Sequence, residues 1–266
     1  MLKTKHYTKK QLAKELGVSY GMLYYEHKRP QLDEELRSQI ESVLVEHPTY
    51  GHKRIALELK IGKNRAMRVM KKFGIEPLRR KSRKFRKLED TGNPPKDIPN
   101  LLETRCPIRP AVVWVSDFTY IKYKFKFIYL ATVIDVFTRE VVGWEISRYH
   151  NKNLVINALK DALSRNTSPQ LIHSDQGREY TSEEYMNLVK RHKIEISMSR
   201  KSSPWQNGYQ ESFYSHFKLE LGNVNRFNQL GELVEAIQSQ IYYYNNERIH
   251  SKLKMSPVEF RKGQVI

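Results

Sequence analysis

AVVWVSDFTYIKYKFKFIYLATVIDVFTREVVGWEIS, residues 111–147, carries Val, Ile, Phe and Tyr at a density that favours strands. It divides into three runs, AVVWVSDFTYI, FKFIYLATVIDVF and EVVGWEIS, with Thr138-Arg139 as a short turn between the last two. Strands in immediate succession predict an antiparallel meander. Downstream the pattern alternates. LVINALKDALSRN reads as a helix, QLIHSD as a short buried strand, SEEYMNLVKRHK as a helix and IEISMS as another short strand. GYQESFYSHFKLELG and ELVEAIQSQIYYYNNERI read as further helices, and SPVEF begins one more. The order predicts an α/β fold built on a mixed sheet with its antiparallel part first.

Upstream of residue 111 the chain is helical. Thr8 with Gln11 forms a capping-box pattern, and KKQLAKELGVSYGMLYY (residues 9–25) reads as helix, Gly-containing turn, helix. Apolar residues recur at helical spacing again from Asp33 to Phe73, with breaks at Gly62 and Gly74. Prolines at 94, 95, 99, 107 and 110 argue against a helix in the next stretch. The expected organisation is a helical helix-turn-helix region at 1–78 and a basic, Pro-containing tether at 79–110. A catalytic core follows at 111–225, with a C-terminal helical extension at 226–266.

Charge narrows the partner. Forty-seven Lys and Arg against 29 Asp and Glu leave a net charge of +18 in 266 residues. Fifty residues, 51–100, carry 16 basic and five acidic side chains, and the densest run lies between Lys71 and Lys87. Such clustering points to a polyanion, nucleic acid before anionic membrane. Lys71, Lys72, Arg79, Arg80, Lys81, Arg83 and Lys84 are the phosphate-contacting candidates. No run of about 18 apolar residues exists, so no membrane-spanning helix is expected. The lone cysteine, Cys106, excludes an internal disulfide and a cysteine-rich zinc site and fits a reducing cytoplasm.

Three acids stand where chemistry collects in such a sheet. Asp117 follows the apolar run Val112–Val115 and is expected at a strand end. Asp175 follows Leu171–Ile172 beside Gly177, and Glu211 lies in the helix after SRKSSPWQNG. Any one of them alone reads as an ordinary turn or surface acid. Together, in a basic protein, they suit Mg²⁺, which takes hard oxygen ligands from one or two carboxylates plus phosphate and water. Two such ions about 3.5–4 Å apart activate the attacking oxygen and stabilise the leaving one. Asn207, Glu211, Ser215 and Lys218 share one face of the Glu211 helix, with Phe213, Phe217 and Leu221 on another. Asn207 and Lys218 are therefore candidates for DNA contact near the metal. Asp135 and His173 read as structural, Tyr242–Tyr244 as core packing, and Trp205 as exposed.

At this point a resemblance emerges. HPTYGHKRI (47–55), WVSDFTYI (114–121), LIHSDQGREYTS (171–182), SMSRKSSPWQNGYQESFYSHFK (197–218) and YYNNERIHSKLKMSPVEF (243–260) resemble the insertion sequence three family of transposases. That family is a branch of the D-D-E polynucleotidyl transferases that includes retroviral integrases. The 35 residues between Asp175 and Glu211, and the lysine seven residues beyond the glutamate, match its pattern. The resemblance implies a ribonuclease-H-like core, Asp117, Asp175 and Glu211 as metal-binding catalytic triad, and Mg²⁺ (with Mn²⁺ as a substitute), two ions in the active complex. It implies DNA cleavage and joining during transposition, on element ends and target, by a homo-oligomer in the bacterial cytoplasm at the nucleoid. Family members are commonly fused to an upstream reading-frame product that carries a leucine zipper. No long heptad repeat appears here. The chain therefore reads as the downstream product, with the upstream product as partner. The other reading is a DNA-binding accessory or regulatory protein inactive without that fusion.

Overall fold

The computed structural model describes residues 8–24, 29–79, 98–102, 104–200 and 207–264. Helices α1 (Lys9–Glu15), α2 (Arg29–Glu46), α3 (His52–Glu58) and α4 (Lys63–Phe73) come first. The Thr8–Gln11 capping box forms on α1, the Thr8 N–H donating to Gln11 Oε1 at 3.0 Å. The second helix expected before residue 25 is instead a 3₁₀ turn, Tyr20–Tyr24. Five residues with two tyrosines and a glycine do not sustain an α-helix. Gly74 ends α4 with φ 64°, the left-handed cap a glycine adopts without steric cost. Leu36, Ile40, Tyr50, Ile55, Ala66 and Val69 close a core of their own.

The meander is present. Strands β1 (Val113–Tyr123), β2 (Lys126–Asp135) and β3 (Val141–Ser147) pair antiparallel in sequence order. Strand β4 (Leu171–Ser174) then pairs parallel to β1, and β5 (Glu195–Met198) parallel to β4. The sheet order is β3-β2-β1-β4-β5. Helices α5 (Lys152–Arg165) and α6 (Glu183–Arg191) cover one face; α7 (Gly208–Leu221) and α8 (Leu230–Asn246) cover the other. Helix α9 (Pro257–Lys262) follows.

Strand alternation sorts the side chains between these layers. Val113 and Val115 point into the α7–α8 core and Trp114 into the α5–α6 core. Gly143 lets β3 approach α5: a Cβ there would stand 2.5 Å from Ala158 O and Ala162 N. Asp117 is not at the end of β1, as expected, but in its middle. The antiparallel register with β2 runs on to Tyr123↔Lys126, whereas the parallel pairing with β4 stops at Val115↔His173.

Residues 98–102, expected to be part of a free tether, are docked. The Leu101 N–H donates to Ser197 Oγ at 2.8 Å, and Leu101 and Leu102 pack on the α7–α8 core. Apolar Ile98, Leu101 and Leu102 interrupt the polar tether composition and find partners. The C-terminal segment packs on the α7 side of the sheet through Leu233, Ile237, Ile241 and Tyr244. It also holds the first helices. His47 Nδ1 meets the Tyr243 hydroxyl at 2.7 Å, and the Ile249 N–H donates to the Tyr50 hydroxyl at 2.7 Å. Among the described residues no helix is long and apolar enough to cross a membrane.

Candidate active site

The carboxylates meet because of register. Asp117 lies two residues beyond Val115, and Asp175 two beyond His173, the last paired residues of the parallel β1–β4 ladder. Each keeps the phase of its strand, so both face the α7–α8 side, as Val115 and Leu171 do. Past Ser174 the chain leaves the sheet, which opens a fork between the strands where side chains from both can converge.

Helix α7 brings the third acid. Its placement on the sheet is set by two polar residues that sequence reasoning missed. Gln210 is fully buried; its Nε2 donates to Val115 O at 2.8 Å and to Thr132 O at 3.1 Å. The Tyr214 hydroxyl donates to Asp117 O at 2.7 Å. Thr132 Oγ1 lies within 2.9 Å of Gln210 Oε1 and 2.8 Å of the Tyr214 hydroxyl. This network fixes the first turns of α7 against the backbone that carries Asp117, and Glu211 is the next residue after Gln210. The signal was present in the sequence as a glutamine in register with Phe213, Phe217 and Leu221, an unexplained polar group in an apolar stripe.

The Asp117 carboxyl feels both other acids. The Asp117 carboxyl is pushed up to about 7, by burial first and then by the Asp175 charge. The Phe118 N–H, donating to Asp117 Oδ1 at 2.8 Å, opposes this; Glu211 adds to it and Lys218 offsets it. Asp175 is raised by burial and the Glu179 charge against the Gly177 N–H, which donates to its Oδ1 at 2.9 Å. A Cβ at Gly177 would stand 3.0 Å from that same oxygen, a tight approach that glycine avoids. Glu211, exposed on α7, is raised by desolvation.

The donor set is oxygen only and carries more negative charge than its surroundings offset. That fits a hard divalent cation, the ion such carboxylates accept. Asp117 feels both other acids, but among the described residues no three His, Cys, Asp or Glu side chains close into a set around one ion.

The remaining candidates divide. The Lys218 ammonium lies 4.9 Å from the Tyr120 ring centre, close enough to lower the Asp117 carboxyl. Asn207 caps α7 without a side-chain cap bond, and its buried Oδ1 has no hydrogen-bond partner. Lys72 is engaged elsewhere: its Nζ lies 3.0 Å from Asp33 Oδ2, beside the bidentate Arg68–Asp33 pair. Lys71 and Arg79 are exposed. Arg80, Lys81, Arg83 and Lys84 lie outside the described residues, as does Trp205. Asp135 is structural, as expected: its buried carboxylate accepts from Ala111 N, Trp114 Nε1, Phe137 N and Thr138 N. His173 is a packed histidine, its Nδ1 2.8 Å from Ser197 Oγ.

Comparison with known proteins agrees with this architecture. The integrase core domain family matches residues 107–204, and a second integrase core domain pattern matches 192–257. The 31 kDa protein of insertion element IS600 from Shigella sonnei is 33% identical over 88% of this chain and 89% of its own length. The transposase InsF of insertion sequence IS3A from Escherichia coli is 34% identical over 57% of this chain and 54% of its own length. Among solved structures, a simian T-cell lymphotropic virus intasome in complex with a PP2A regulatory subunit aligns with TM-score 0.53 and 17% identity. It covers 84% of this chain and 74% of that one, and shows a shared fold. The sheet is thus the ribonuclease-H-like sheet of integrase catalytic cores, and the chain belongs to the IS3-type insertion-sequence transposases, a family that catalyses DNA strand transfer.

Proposed function

We propose that this chain cleaves and joins DNA strands by in-line displacement at phosphodiesters, with Asp117, Asp175 and Glu211 as a metal-binding triad. The observation that carries this reading is the parallel β1–β4 register, which sets Asp117 and Asp175 side by side on the face that α7 covers. Magnesium, two ions per reacting phosphate, is the cation this oxygen-only set suits, with Mn²⁺ as a substitute. When bound, the ions supply Lewis acidity to the attacking and leaving oxygens.

The chain's own residues prepare the site. The Phe118 and Gly177 N–H groups hold one oxygen each of Asp117 and Asp175, leaving the other oxygens for a ligand. Gln210 and Tyr214 hold α7 so that Glu211 stays beside Asp117. Lys218 sets positive charge on the same side for the bound phosphate backbone. Asn207, Lys71, Arg79, Arg80, Lys81, Arg83 and Lys84 are further DNA contacts in this reading, and Lys72 joins them only by leaving its Asp33 pair. The helical region 1–78, tether 79–110, core 111–225 and extension 226–266 act together on element ends and target, as a homo-oligomer with the upstream product as partner, at the bacterial nucleoid.

The test is strand transfer on the element's own ends, with a pre-cut end to separate joining from hydrolysis. Asp117→Asn, Asp175→Asn and Glu211→Gln each keep volume and remove charge. Each should end joining while DNA affinity in Ca²⁺ stays near that of the parent. Joining at the parental rate by any of them would sink the assignment.

A further inference from the structure

On the other flank of α7 lies a cavity of about 680 Å³ that the triad does not use. Gly208, Tyr209, Ser212 and His216 turn one face of α7 into its wall. The rest comes from distant parts of the chain: Arg54 of α3, Arg139 of the β2–β3 turn, and Arg248, His250 and Lys252 after α8. No acidic side chain lines it among the described residues.

Its guanidinium groups are unsatisfied in a way buried cations rarely are. Arg139 and Arg248 are 9% and 5% exposed, yet Arg139 Nε and Arg248 Nη2 have no hydrogen-bond partner. The same holds for Arg54 Nη1 and His250 Nδ1. Arg248 does have one acid, Glu220, at 2.7 Å from its Nε, but that acid is shared with Thr49 and Gln240 and faces one side of the fork only. The rings of Tyr209 and Tyr50 hold Arg139 and Arg54 in place, at 4.3 Å and 4.9 Å from their centres. The crowding of positive charge is felt locally. Burial, and then the Arg248 charge, lower Arg54, while burial and the charges of Arg139, Arg248, Arg54 and His216 depress His250 to about 4. Three guanidinium groups lining one hollow with no acid among its lining residues match one chemistry above others, the oxygens of a phosphate.

We propose that this cavity is an anion site for a backbone phosphate of the bound DNA strand, held by Arg54, Arg139 and Arg248 with Lys252 at the rim. The proposal rests on the reading of the triad, because Glu211 and Ser212 are adjacent on α7 and face the two sites. A strand whose reacting phosphate lies at the carboxylates passes the N-terminal end of α7 to reach the cavity. The two sites flank one helix about 10 Å across, so the captured phosphate lies within a few nucleotides of the reacting one.

The experiment titrates the full-length protein with a duplex of the element end in Ca²⁺ across a salt series, for the parent, Lys252→Glu and Arg54→Gln. Lys252 is exposed, so its substitution leaves the fold intact, and thermal unfolding checks Arg54→Gln. Each variant should lose affinity and flatten the log affinity against log salt slope by roughly 0.9, the share of one phosphate. In a set of duplexes with a neutral methylphosphonate placed in turn at each of the first few positions beside the reacting phosphate, one should bind the parent more weakly and both variants no differently. Inorganic phosphate should raise the parental melting temperature more than chloride at equal ionic strength. Parental slopes in both folded variants overturn the cavity proposal and leave the triad reading standing. If phosphate still protects in that case, the cavity takes a free anion and not DNA. Loss of slope together with joining by triad variants upholds the cavity and overturns the triad reading.

Discussion

Two glutamates on one helix differ in every respect that matters. Glu220, in the last turn of α7, accepts from Thr49 Oγ1 at 2.6 Å, Arg248 Nε at 2.7 Å and Gln240 Nε2 at 3.0 Å. Its partners come from three other parts of the chain, and both it and Arg248 are 5% exposed. Glu211, in the first turn, is exposed, has no hydrogen bond among the described residues and adds its charge to an already desolvated Asp117. Saturated contacts mark an acid that holds elements together. In the proposed reading, unsaturated contacts beside like charge keep Glu211 ready for a ligand that the protein does not itself supply.

The contrast is strongest in what each loss should do. Glu211→Gln should lower strand transfer on the order of a thousandfold or more, with the melting temperature within a degree or two of the parent. Rate and melting measurements on the same preparation decide it. A large fall in melting temperature would return Glu211 to a structural role.

Glu220→Ala should do the reverse. It strands Arg248 as a buried cation and costs about 3–5 kcal/mol, read by urea unfolding. Joining by the fraction that remains folded should persist. A stability change under about 1 kcal/mol would mean the Glu220 network is solvated like a surface pair.

Gln210→Met sits between the two glutamates in kind. It keeps the volume and removes the donors to Val115 O and Thr132 O, for an expected cost of about 1–3 kcal/mol. Because it frees the first turn of α7, kcat should fall more than DNA affinity. Equal falls in both would make Gln210 a packing residue without influence on Glu211.

The smallest effect concerns His250. Its folded-state value of about 4 lies below the ordinary 6.5, so the unfolded chain binds the proton first. Stability from this group is complete above about 6.5 and drains away as pH falls toward about 4. His250→Gln should flatten the stability profile in that window, and phosphate in the cavity should flatten it too. An identical slope in the variant would place the imidazole in solvent.

What the sequence discloses, and what it hides, follows the same division. The strands of 113–147 announce themselves through β-branched and aromatic density, and Asp117 and Asp175 through their place after apolar runs. That Asp117 lies mid-strand was within reach, since the run AVVWVSDFTYI already continues past it; what could not be read is that the parallel pairing with β4 stops at Val115. Gln210 stood out only as a polar residue in an apolar stripe; its partners, backbone carbonyls 95 and 78 residues away, could not be read. The Glu220–Thr49 bond spans 171 residues, and no local pattern encodes such a distance. The second helix at 18–25 failed for the opposite reason, a local pattern too short to decide between α and 3₁₀.

The clasp between the first helices and the end of the chain sets a schedule for the protein. His47 waits for Tyr243, which lies 196 residues later. At about 5–20 residues per second, a ribosome needs on the order of 10–40 s to supply the second half of that contact. Arg54 and Arg248 are divided in the same way, so the basic cavity does not exist until Arg248 has been made. A nascent chain has its first helices long before it has this anion site, and truncation ahead of Tyr243 leaves those helices with their docking surface missing.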